Sequence, residues 1–277
     1  MKRYALSVLL ICIGAGLTQW RPSYAQHAAT GTTYWVGRAK GYRVRWTDGD
    51  LAAMRTGSTR PVYSVAAALK REFRKPDVDN GFSYYAVAFT PRSVVGTLLS
   101  YERDDYWDGG AHPSGSETFV TVDLNSPQHP VKLTDLFPAE EIRRALLADR
   151  IVTHVLAREK IAAPATLEGL IKALAEKEFG GEDDMMFSFP EDLLGDFVFH
   201  HVEGGKVAVR LLLPHGTEIY RFRNTELGLL LPIPARLRSA FSQAAMGKAG
   251  ALMQTLQRIT NGKQSTVVLL EHKGDGH

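Results

Sequence analysis

The chain has 277 residues, with 33 basic and 30 acidic side chains and a formal net charge of +3. Lys2, Arg3 and Arg21 fall in an N-terminal leader that holds no acidic residue, so the remainder balances at 30 against 30. That balance gives no support for nucleic-acid binding or adhesion to anionic lipid. The single cysteine, Cys12, lies in the leader as well, which leaves neither a disulfide nor a catalytic thiol downstream.

Residues 1–25 read as a secretory signal: Lys2 and Arg3, an uncharged apolar run over 4–17, then Ser23-Tyr24-Ala25 before Gln26. The run is shorter than the roughly 20 residues needed to cross a bilayer. Ile11 before Cys12 is too bulky for a lipobox. The expectation is a periplasmic or secreted protein, cleaved near Ala25, with no membrane span after cleavage. Residues 26–37, rich in Ala, Thr and Gly without periodicity, read as a linker.

Residues 42–46 alternate as a strand does, Asp48-Gly49-Asp50 turns the chain, and 51–54 form a second strand. Pro61 is expected to open a helix carrying Val65, Leu69 and Phe73 at four-residue spacing, and the charges over 70–75 read as its solvated face. Residues 82–89 are apolar or aromatic on both faces, as in a central strand. A Pro91-Arg92 turn should then lead to a hairpin partner over 94–101. In the strand 118–124, Val120, Val122 and Leu124 are expected to face the core.

A helix starting at 136–138 should bury Ile142, Ala145, Leu146, Val152, Val155 and Leu156, with Asp149 interrupting the stripe. A second helix over 167–178 is stopped by Gly180-Gly181. Strands over 197–202 and 206–213 flank Glu203-Gly204-Gly205, with 219–222 and 227–231 completing the sheet. Beyond 246, Leu252, Leu256 and Ile259 point to a short helix and 266–270 to an added strand. Strand runs interrupted by clustered helices indicate an α+β fold with a largely antiparallel sheet packed against a few helices, a single domain with room for a two-lobed arrangement.

Between the strands ending near 105 and starting near 118 lies Tyr106-Trp107-Asp108-Gly109-Gly110-Ala111-His112-Pro113-Ser114. Two adjacent glycines permit a tight path that would hold the His112 imidazole at a turn. Ser114 and Ser116 beside His112 do not form a Gly-x-Ser-x-Gly elbow. Asp104, Asp105, Asp108 and His112 crowd one turn, but their spacing is not that of a known metal motif, and His200 and His201 should point to opposite faces of a strand. The 182–184 acids lack the pattern of a calcium loop, and no phosphate-binding glycine motif occurs, so no cofactor is expected.

The stretch YWDGGAHPSGSETFVTVDL, followed by VKLTDLF, resembles the RsiV-type ectodomain family. Residues 38–104 resemble the PdaC-like half that precedes this domain in cell-wall deacetylases, 105–245 resemble the RsiV-like half, and 246–277 form a C-terminal extension. Members of that family lie outside the cytoplasmic membrane, and some anti-sigma members bind lysozyme. The resemblance implies a non-catalytic binding domain whose partner is a lysozyme-like protein or a peptidoglycan fragment. Its contact residues would be Tyr106, Trp107, Asp108, Gly109, Gly110, His112 and Ser114, with His215 and Tyr220 at a neighbouring edge. Where the family commonly has an aromatic after its proline, Pro214 is followed by His215 and Gly216. The alternative is a peptidoglycan hydrolase or deacetylase that uses His112 and nearby carboxylates.

Overall fold

The computed structural model describes residues 32–73, 83–108, 113–175, 178–179, 187–214 and 225–271. The fold is α+β, and every strand pair in it is antiparallel. Strands β1 (Thr33–Ala39), β2 (Tyr42–Thr47), β3 (Leu51–Arg55) and β4 (Pro61–Ser64) form a four-stranded meander. β1 begins at Thr33, inside the stretch read as a linker.

Pro61 opens a strand, not a helix. It sits at the start of the edge strand β4, where a missing N–H costs no ladder bond. The helix α1 (Val65–Glu72) begins four residues later, where the Ser64 hydroxyl accepts from the Ala67 N–H at 3.1 Å.

The second sheet has the order β13-β5-β6-β7, from β5 (Tyr84–Val95), β6 (Leu98–Asp108), β7 (Ser114–Asp123) and the C-terminal β13 (Ser265–Glu271). Pro91-Arg92 is no turn. The register shifts between Pro91 and Ser93, so the pair forms an irregularity inside one long strand, and Gly96 at φ 62° makes the reversal to β6. A central proline cannot donate to the ladder, and a bulge absorbs that loss without ending the strand.

Helices α2 (Leu133–Leu136), α3 (Ala139–Ala148), α4 (Arg150–Arg158) and α5 (Leu167–Ala175) follow, then a two-stranded ribbon of β8 (Glu178–Phe179) and β9 (Phe187–Ser188). The third sheet joins β10 (Phe197–Glu203), β11 (Lys206–Leu213) and β12 (Thr225–Pro232). A 3-10 turn (Ala235–Leu237), α6 (Arg238–Ala245) and α7 (Met253–Thr260) lead into β13. The expected strand over 219–222 lies outside the described residues.

Three cores stack through these layers. Val87, Phe89, Leu99 and Tyr101 on one face of the second sheet pack with Val44, Trp46 and Leu51 of the meander and with Val65 and Leu69 of α1. On its other face Phe119 meets Val198, Leu212 and Met253. The far side of the third sheet, with Phe197, Phe199, Val209 and Leu229, packs on Ile142, Leu146, Val152, Leu170 and Phe241. β7 is therefore buried on both faces: Phe119 and Thr121 on one, Val122 on the other, with Leu124 buried just past its end. The alternation had assigned it one core face only.

Candidate recognition surface

The register of the second sheet gathers the aromatic residues at one end of it. Tyr85 pairs with Trp107 and Ala86 with Tyr106 across β5 and β6, while Trp107 pairs with Ser114 and Tyr106 with Gly115 across β6 and β7. Alternation then divides them between two faces. On one face Phe73, at the end of α1, stacks on Tyr85 (5.1 Å between centroids, 24°), and Tyr85 stacks on Trp107 (6.4 Å, 17°). On the other, Tyr84 meets Tyr106 edge to face at 5.9 Å. Tyr84, Tyr85, Tyr106, Trp107 and Asp108 are all half-buried.

Gly115 belongs to this end for a steric reason. A Cβ there would lie 2.7 Å from the Asp105 carbonyl oxygen, so β7 approaches β6 where only glycine fits. The strand ends are closed by Ser83, whose N–H (2.7 Å) and hydroxyl (3.0 Å) both donate to the Asp108 carbonyl.

A charged buttress supports the Tyr85 face. The Tyr85 hydroxyl donates to Asp105, which also accepts from Arg103 Nε at 2.7 Å, and Arg103 reaches Glu72 of α1 at 2.9 Å. Burial, then the Asp105 carboxylate, push the Tyr85 phenol up to about 12. Burial opposes the Arg103 charge, but the hydrogen bonds it donates to Asp105 and Glu72 outweigh it and hold the guanidinium pKa above its ordinary value.

Asp104 and Asp105, which crowd one stretch of the sequence, face opposite sides of the sheet. Neighbours in a strand point to opposite faces, and Asp105 is committed to Arg103 and Tyr85. Asp104 instead joins Glu102, two residues back, and Glu117, its cross-strand partner on β7; one carboxylate oxygen of each lies within 4.8 Å of the others. Arg92 Nε holds Glu102 at 2.6 Å, and Gln264 donates to Asp104 at 3.1 Å. Burial first, and then the Glu102 charge, push the Asp104 carboxyl up to about 7. The i, i+2 spacing of Glu102 and Asp104 was visible in the sequence, but Glu117 enters through the register alone.

His200 and His201 do not point apart either. A register shift between Phe199 and His201 brings the two Nδ1 atoms to 2.7 Å. Burial, Arg210 and His201 hold His200 below the usual histidine range. Elsewhere, α4 and the β11–β12 ladder enclose a cleft of about 1080 Å³ containing His154, Arg158, Arg210 and Glu226. Of the sequence-predicted contact residues, Tyr106, Trp107, Asp108 and Ser114 come together at the sheet end. Gly109, Gly110, His112, His215 and Tyr220 lie outside the described residues.

No protein-family model matches the chain, and no curated protein does. Among solved structures it is similar to the crystal structure of a member of the DUF3298 family from Bacteroides fragilis, at 16% identity with a TM-score of 0.31. The match spans 65% of this chain and 66% of that one, just under two thirds of its length.

Proposed function

We propose that the chain is an exported, non-catalytic binding domain of the cell envelope that recognises a cell-wall-active protein of the lysozyme kind or a cell-wall glycan. The observation that supports this reading is the row Phe73, Tyr85 and Trp107, backed on the other face by Tyr84 and Tyr106, at the end of the β6–β7 hairpin. Aromatic side chains supply contact area at little entropic cost and carry much of the energy at recognition surfaces. The test is calorimetric titration of the protein with lysozyme and with muropeptides. Trp107→Ala is expected to weaken the productive partner at least tenfold while leaving the thermal transition cooperative. Binding unchanged in that variant, or no binding of either partner, overturns the reading.

A second reading, a peptidoglycan hydrolase or deacetylase, has one observation in its favour. Asp104, with its carboxyl at about 7, sits against Glu102 and Glu117. A carboxyl near neutrality suits proton transfer, and three carboxylates suit a hard cation. Turnover of wall fragments that requires added magnesium or calcium and disappears in Asp104→Asn would establish it.

A further inference from the structure

The balanced overall charge conceals a segregation in the N-terminal meander. Arg38 of β1 lies directly opposite Arg43 of β2, and Arg45 lies opposite Val36 one step along the same outward face. All three arginines are exposed, as are Lys40, Arg55 and Arg60. Among the described residues, none of these six cations is paired with an acidic side chain. Like charges facing each other across an antiparallel pair destabilise the sheet that carries them. Among the described residues, no carboxylate offsets that repulsion by pairing with them.

Three of the six cations line a concavity. Arg38, Arg43 and Arg55 line a hollow of about 840 Å³, with the turn bearing Thr56, Ser58 and Thr59 on one side and Val36, Ala39 and Tyr42 of the β1–β2 hairpin on the other. Gly57 takes φ 84° within that turn, which folds it tightly, and the Thr56 N–H donates to the Gly41 carbonyl at 3.0 Å to fasten it. Directly opposed residues on one face have Cβ atoms about 5 Å apart, so the Arg38 and Arg43 guanidinium groups can reach one oxyanion together.

We propose that this hollow binds a phosphorylated saccharide, with Arg38 and Arg43 clamping the phosphate and the Thr56, Ser58 and Thr59 hydroxyls facing the sugar. Three guanidinium groups without a carboxylate match a phosphomonoester, of charge about −2, better than a carboxylate of charge −1. The concave form, with three hydroxyl-bearing residues on one wall, fits a discrete polar group. A membrane-facing patch would present apolar side chains to the acyl boundary, and Val36 is the one large hydrophobic exposed in the meander. The site is on a different sheet from the aromatic end and stands independently of the function proposed for that end.

Calorimetric titration at low ionic strength tests it, with glucose 6-phosphate, glucose, inorganic phosphate and phosphatidylglycerol vesicles as probes. Glucose 6-phosphate is expected to bind at least tenfold more tightly than either glucose or inorganic phosphate, and to weaken as salt is raised. Arg38→Gln and Arg43→Gln should each cost at least tenfold, whereas Lys248→Gln, exposed after α6 and not among the residues lining the hollow, should cost nothing. Because each substitution in the hollow relieves like-charge repulsion, the melting temperature should hold or rise, which separates lost binding from lost fold. The proposal is overturned if glucose 6-phosphate fails to bind at millimolar concentration, if its binding survives both substitutions, if inorganic phosphate binds as tightly, or if only the vesicles bind.

Discussion

Trp46 and Ser265, 219 residues apart in sequence, meet at 2.7 Å, the indole N–H donating to the serine hydroxyl between two side chains with no solvent exposure. The same hydroxyl donates to the Thr47 carbonyl. One serine on β13 thus joins the N-terminal meander to the second sheet, and the C-terminal strand is a structural member of the fold.

Replacing Ser265 with alanine removes the acceptor and leaves the buried indole N–H unsatisfied. A loss of about 1–3 kcal/mol is expected, read as a lower denaturant midpoint at unchanged m-value. Trp46 fluorescence should follow the same transition. The double variant Trp46→Phe with Ser265→Ala should recover part of the loss, because then neither partner is left wanting.

Asp149 carries two jobs with one carboxylate. Its Oδ1 accepts from the Ile151 N–H at 2.8 Å and the Val152 N–H at 3.3 Å to cap α4, and its Oδ2 accepts from the Gly228 N–H at 3.1 Å on β12. Asp149→Ala should cost about 1–2 kcal/mol, the range for a lost N-cap, and faster amide exchange should appear in the first turn of α4 and at Gly228. Asp149→Asn keeps an acceptor oxygen and should lose less. Equal losses in the two variants would show that charge, not capping, matters there.

Asp149 also illustrates where the sequence was legible. In the apolar stripe on both sides of it, Ile142, Leu146, Val152, Val155 and Leu156 are buried and Ala145 is half-buried, but one helix was expected where the aspartate ends α3 and caps α4. Apolar period reports a buried face and says little about a break within it, since a capping side chain acts through local backbone geometry. Pro61 and Pro91 misled in the same way, for a proline marks a missing donor and tertiary pairing decides whether that means helix start, edge strand or bulge. The aromatic residues of the hairpin end, Tyr106 and Trp107, adjoin in the sequence beside the Gly109-Gly110 turn signal. Their partners Phe73 and Tyr85, the approach of Glu117 to Asp104, and the facing arginines 38 and 43 depend on strand register, which no local pattern encodes.

Gly250 marks a close approach that tolerates no side chain. It takes φ 101°, and an added Cβ would collide with the Val94 carbonyl oxygen, which accepts from the Ala251 N–H at 2.9 Å. Gly250→Ala combines a left-handed backbone with that clash and should cost more than about 2 kcal/mol. The bridge between Val94 and Ala251 is what leads the chain from α6 into α7, so amide exchange at Ala251 should quicken before that in β6.

The carboxyl of Asp104 gives the fold a definite pH dependence. Its folded value of about 7 lies above the ordinary 3.8, so the folded state holds the proton more tightly than the unfolded chain does. Below pH 4 both states are protonated and the group is neutral in the balance. As pH rises toward 7 the unfolded chain releases its proton first, and stability falls, by at most about 4 kcal/mol once pH exceeds 7. Asp196, pushed up to about 6, and Glu226, raised as well, both chiefly by burial, slope in the same sense. Asp104→Asn should therefore raise the melting temperature at pH 8, change little at pH 4, and flatten the decline between them without abolishing it. Melting curves at pH 4, 6 and 8 measure this directly; equal shifts at all three would mean that the asparagine acts through packing and that the carboxyl ionises at its ordinary pH.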